Sequence, residues 1–156
     1  MITPLWATKL LEEVAKKEGK YRKMPMLTFE LSKRYWVWTK DEHRYGIHGH
    51  FQGKSHYHMW DEIVIYVPFK LNPSDTFATD KFRETLLHEI CHWLVPRPPR
   101  YWHDSKFYRK LFRLCQEYDI GYEDYKSEFE YMPRGAKKGF SQVYKVTWFD
   151  NKKPTF

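Results

Sequence analysis

Five consecutive residues carry the clearest chemistry in this sequence: His88, Glu89, Ile90, Cys91 and His92, an HExxH pattern. Positions four apart on a helix share one face. Two imidazoles at that spacing can grip one tetrahedral metal ion, and zinc suits nitrogen ligands of this kind. Glu89 follows the first ligand directly and can accept a proton from water that the metal acidifies, which is the work of a general base. A helix serving only as core has no use for such a pattern, because burying an unpaired carboxylate is costly.

A catalytic zinc site usually takes three protein ligands and keeps one position open. Two residues compete for the third place. His103 lies just past a proline-rich turn, at the start of the next helical pattern and one turn before Phe107. It is therefore in line with that helix's apolar stripe, and its ring can point inward toward the motif helix. Glu117 is the alternative, a carboxylate near the far end of the same helix. It flanks the stripe and reads more naturally as a solvated surface group. The geometry favours His103.

The elements that must hold these residues can be traced along the chain. Phe82, Leu86, Leu87 and Ile90 supply apolar positions around the motif, and no Gly or Pro interrupts Lys81 to Leu94. This predicts a helix over those residues, capped by Asp80 and ended by Pro96, Pro98 and Pro99. Another helix is expected from Asp104 to about Tyr118, with Phe107, Leu111, Leu114, Cys115 and Tyr118 as its buried stripe. Near the start, Thr3-Pro4 reads as a cap with Pro in the first turn. Trp6, Leu10, Leu11 and Val14 continue it to a stop at Gly19, giving a first helix near residues 4–18.

Met26 to Leu31 alternates as a strand does, Tyr35 to Thr39 is rich in β-formers, and Asp61 to Pro68 is a short β-branched run closed by proline. The stretch Phe69 to Thr79 reads as a loop with Asn72-Pro73 as breaker. The tail, residues 128–156, is strand-like from Gly139 to Asp150. This order predicts one α+β domain over residues 1–156, with its core at about 25–118. It would be a small, mainly antiparallel sheet with helices on one face and a zincin-like HExxH helix.

The segment from Thr85 to Phe112, TLLHEICHWLVPRPPRYWHDSKFYRKLF, resembles the core of the SprT-like metallopeptidases, the group that includes Spartan. There, HExCH on a helix is followed by a loop of variable length, and a third His opens another helix with a bulky residue soon after. The matching residues here are His88, Glu89, Cys91, His92, His103 and Phe107. The close likeness covers about 30 residues, a looser one about 40 to 115. It implies a single Zn2+ held by His88, His92 and His103, Glu89 as catalytic base, and hydrolysis of peptide bonds, often in proteins associated with DNA. It also implies that the strand Asp61 to Pro68 is an edge strand able to hold substrate backbone by β-addition. Two departures from the family are visible: no zinc ribbon follows, and Asp104 stands where Gly often follows the third His.

Charge and composition bear on partners. The net charge of +7 points to an acidic partner, nucleic acid being the commonest. Arg97, Arg100, Lys106, Arg109, Lys110 and Arg113 concentrate much of it against one acid, Asp104, and Arg134, Lys137 and Lys138 form a second cluster. A nucleic-acid-binding module with a structural zinc is thus the main alternative to a peptidase, and another metal-dependent hydrolase is the third reading.

His43, His48, His50, His56 and His58 crowd into a polar, glycine-containing stretch. It suits a mobile flap near the active site better than a second metal site. Aromatic residues make up 19% of the chain, and most are expected to be core. The two cysteines, Cys91 and Cys115, form no disulfide framework and no CxxC pair, which fits reduced thiols and a cytoplasmic setting. Lys9, Glu12 and Glu13 rule out a signal-peptide reading of the first helix. The longest apolar run, Ile63 to Phe69, is too short to span a bilayer.

Overall fold

The computed structural model describes residues 3–19, 22–32, 49–55, 59–68, 76–95, 103–119 and 132–144. The chain divides into two compact units, Met1–Leu94 and Val95–Phe156. The architecture is α+β, as expected, with four α-helices and a three-stranded sheet among the described residues.

In the first unit, α1 spans Leu5–Val14 and turns its apolar positions Ala7, Leu10, Leu11 and Val14 to the core. Pro4 occupies the cap position in extended conformation. Thr3 does not cap the helix; its hydroxyl donates to the carbonyl of Leu27 instead. A π-helical turn, Ala15–Gly19, follows. The helical course does end at Gly19, but close packing rather than a left-handed backbone is what requires glycine there. A Cβ on Gly19 would lie 2.5 Å from Cη2 of the buried Trp93 ring.

The sheet comprises β1 (Met26–Ser32), β2 (Gly49–Gln52) and β3 (Glu62–Pro68) in the order β1-β3-β2. β1 runs parallel to β3 and β2 runs antiparallel to it, so the sheet is mixed, with the longer pairing parallel. β3 is the central strand, which corrects the edge role that the family resemblance implied. Ile63, Val64, Ile65 and Val67 are all buried, the near-continuous apolar burial of a strand covered on both faces.

Phe29, Ile65 and Gly49 lie side by side across the three strands. Phe29 meets Trp6 of α1 edge-on, with ring centroids 6.0 Å apart, and meets Phe82 at 6.3 Å. The helices therefore cover this face of the sheet, where burying each Phe or Ile stabilises the fold by about 1.5–3 kcal/mol. β2 lies inside the stretch expected to be a mobile loop. Its Gly49 explains why a strand forms there, since a Cβ would be 2.9 Å from the Val64 carbonyl oxygen and 3.1 Å from Thr85 Cγ2. The glycine marks close approach, not mobility.

The motif helix, α2, spans Thr76–Leu94 and begins five residues before the expected Lys81. Asp80 is thus inside the helix rather than its cap, and part of the expected Phe69–Thr79 loop is helical. Nothing after Pro73 breaks a helix, so the start moves upstream. Leu86, Leu87, Ile90 and Cys91 are completely buried. At its C-terminus the Arg22 guanidinium donates to the Trp93 carbonyl, satisfying an acceptor that the helix cannot. Tyr35 to Thr39 and the prolines at 96, 98 and 99 lie outside the described residues.

In the second unit, α3 spans Ser105–Glu117 and α4 spans Arg134–Tyr144. Asp104 caps α3 by accepting from the Phe107 amide at 2.8 Å. The buried face of α3 is Phe107, Tyr108, Leu111, Phe112, Leu114 and Cys115, while Tyr118 is only half-buried.

α4 corrects the strand expected from Gly139 onward. Met132, Ala136 and Phe140 recur at helical spacing and are all buried, and Phe140 meets Phe112 edge-on at 5.1 Å. Gly135 and Gly139 sit against Ser105 and Arg109 of α3, where a Cβ would come within 2.8 Å of Ser105 Oγ and 2.9 Å of Arg109 Cγ. Residues 145–156 lie outside the described part.

Candidate metal centre

α2 presents His88 and His92 one turn apart on the same face. Their rings meet edge-on, with centroids 5.0 Å apart and planes at 70°. The apolar positions Leu86, Leu87, Ile90 and Cys91 anchor this part of the helix in the core, so the two imidazoles project from a rigid base. Both rings are half-buried, which suits ligands on the rim of a site open to solvent.

His103 is placed by the beginning of α3. Its ring stacks on Phe107, with centroids 4.6 Å apart and planes at 22°, and meets Tyr108 at 5.7 Å in a T-shape. The Asp104 cap fixes the backbone immediately after it. Phe107 and Tyr108 are themselves buried, so they form a fixed wall for the imidazole.

One nitrogen from each of His88, His92 and His103 lies within 4.8 Å of the others, a cluster able to hold a metal ion. An ideal tetrahedral zinc site with bonds of about 2.0–2.1 Å places its nitrogens about 3.3 Å apart. Three neutral imidazoles form a donor set suited to a borderline-soft divalent ion, and they leave a fourth position for water or substrate.

Glu89 is 6% exposed. It occupies the position next to the first ligand that the motif requires. Glu117, the competing third ligand, is exposed and belongs to no ligand cluster among the described residues. Cys91 is fully buried in the last turn of the helix and serves as a small core residue, and neither cysteine is in a disulfide.

Of the histidine-rich segment, only His50 is described. On β2, its Nδ1 hydrogen-bonds the Tyr66 hydroxyl at 2.8 Å. His43, His48, His56 and His58 lie outside the described residues, as do Arg97 and Arg100. Among the described residues no helix is long and apolar enough to cross a membrane.

Sequence reasoning passed over Glu84. It is 6% exposed and stands one turn before His88, so Glu84, His88 and His92 share a helix face. The signal was present as an acidic residue four positions before the first His of the motif. Such a carboxylate can orient an imidazole ligand through its other ring nitrogen.

No family model, curated protein or solved structure matches the chain.

Proposed function

We propose that the chain is a zinc-dependent peptidase of the SprT-like kind, with His88, His92 and His103 as metal ligands and Glu89 as general base and acid. The observation that carries this reading is the approach of the three imidazole nitrogens to within 4.8 Å, with Glu89 beside the first of them. Zn2+ in such a site supplies Lewis acidity and brings the pKa of water towards neutrality.

The chain's own residues do the rest. The three imidazoles would hold the ion through one nitrogen each. The Glu89 carboxylate takes a proton from the attacking water and later delivers it to the departing amine, so no net proton change falls on the protein. The stack of His103 on Phe107 holds the third ligand in one orientation, which keeps the geometry from relaxing between turnovers. Among the described strands β3 is paired on both sides, so substrate backbone would be held along β2 or β1 rather than along β3.

The experiment is Glu89→Gln, compared with wild type for zinc content by elemental mass spectrometry and for cleavage of an unfolded protein substrate. The peptidase reading expects zinc near one per chain in both and activity lowered at least a hundredfold in the variant. Full activity in Glu89→Gln would end this reading. If the wild type cleaves nothing and zinc removal unfolds the chain, the metal is structural instead.

A further inference from the structure

The basic residues of α3 and α4 do not scatter over the second unit. On α3, Lys106, Arg109, Lys110 and Arg113 fall at i, i+3, i+4 and i+7, a single stripe opposite the buried Phe107, Leu111 and Leu114. Lys106, Arg109 and Arg113 are exposed and Lys110 is half-exposed. On α4, Arg134 and Lys138 are exposed one turn apart, and the helix contains no acidic residue.

The packing fixes how the two rows meet. The helices touch along a seam where Gly135 and Gly139 face Ser105 and Arg109. Inward of that seam, Phe140 meets Phe112. On α4, Arg134 and Lys138 are rotated away from Ala136 and Phe140 to the far side of the glycine line. On α3, the cation stripe is likewise on the far side of Arg109 from Phe112. Both rows therefore border the same outer surface, and the missing side chains at the glycines bring them together.

We infer that this paired-helix face binds duplex nucleic acid through its phosphates. The inference rests on α3 and α4 alone and stands whether or not the chain is a peptidase. The stripe from Lys106 to Arg113 is about 10 Å long at 1.5 Å per residue. The same length of duplex axis carries about six phosphate charges, at one per about 1.7 Å. Arginine forks match phosphate oxygens in pairs.

A single strand is the poorer fit for the described part of this face, because such sites rely on exposed aromatic rings for stacking, and Phe107, Tyr108, Phe112 and Phe140 are all buried. An anionic membrane is also the poorer fit. The large apolar side chains exposed among the described residues, Leu5, Met24, Met26, Met59 and Trp60, are all in the other unit, so the described part of this face offers none to insert.

The test measures affinity of the full chain for two duplex DNAs of equal length and unrelated sequence, across a salt series. Three proteins are compared: wild type, Arg134→Gln/Lys138→Gln, and the control Lys9→Gln/Lys16→Gln. The control removes the same charge from exposed positions of the first unit. The expected result is similar affinity for both duplexes, with a log–log salt slope no steeper than about −5. The α4 variant should lose about tenfold in affinity and its slope should shallow by about 2, while the control stays near wild type. Equal losses in variant and control would show that net charge alone drives binding and overturn the inference. So would tighter binding to phosphatidylserine vesicles or to single strands than to duplex.

Discussion

Replacing Gly19 with alanine should destabilise the protein, although alanine is the better helix former. The added Cβ would lie 2.5 Å from Cη2 and 3.0 Å from Cζ3 of Trp93. Carbon atoms normally rest about 3.5–4.0 Å apart, so the overlap is about 1 Å. All the nearest atoms belong to the six-membered ring of an indole that is only 3% exposed, so the ring has nowhere open to go.

Overpacking of this kind costs about 1–3 kcal/mol, and the helical preference for alanine over glycine returns up to about 1 kcal/mol. The net loss is centred on about 1–2 kcal/mol. With a urea slope of about 2 kcal/mol/M, the unfolding midpoint should fall by about 0.5–1 M. Trp93 also adjoins His92 in sequence, so zinc affinity at the proposed site should fall several-fold. Trp93→Phe removes the clashing part of the ring. A double-mutant cycle with Gly19→Ala should then show a coupling of at least about 1 kcal/mol in the relieving direction. Strict additivity, or a Gly19→Ala protein as stable as wild type, would refute the reasoning.

Other predictions follow from the site. His103→Ala should lose most of its zinc in protein purified without added metal, whereas Glu117→Gln should retain wild-type content; the reverse pattern would move the third ligand to Glu117. Asp104→Ala removes the cap of α3 and should cost about 0.5–2 kcal/mol in urea unfolding. It should also weaken zinc binding, measured by competition with a chromogenic chelator, because the backbone after His103 is no longer fixed.

Local signals were legible where one physical rule dominated. HExxH announced a helix face with two imidazoles, the apolar spacing from Phe107 to Cys115 announced a second helix, and the run before Pro68 announced a strand. The misreadings share a cause. Gly49 was read as loop mobility and Gly139 as part of a strand, because a glycine in sequence says only that a side chain is absent. Whether that absence gives freedom or admits a neighbour depends on what packs there, and the neighbours, Thr85 and Arg109, are 36 and 30 positions away in the chain. The early start of α2 was missed for a different reason: Asp80 is an acceptable cap, but no breaker separates it from Thr76.

By itself, then, the sequence determined the chemistry on offer: the ligand types, their helical spacing, the carboxylate beside them, and the excess of positive charge. Those depend on residue identity and on the fixed pitch of a helix, both local properties. Only the tertiary structure brought a nitrogen of His103 to within 4.8 Å of those of His88 and His92, made β3 central, and put the cations of α3 and α4 on one surface. Each of these depends on distances between residues far apart in the chain, which are set by how buried faces fit together and which helical or strand periodicity does not encode.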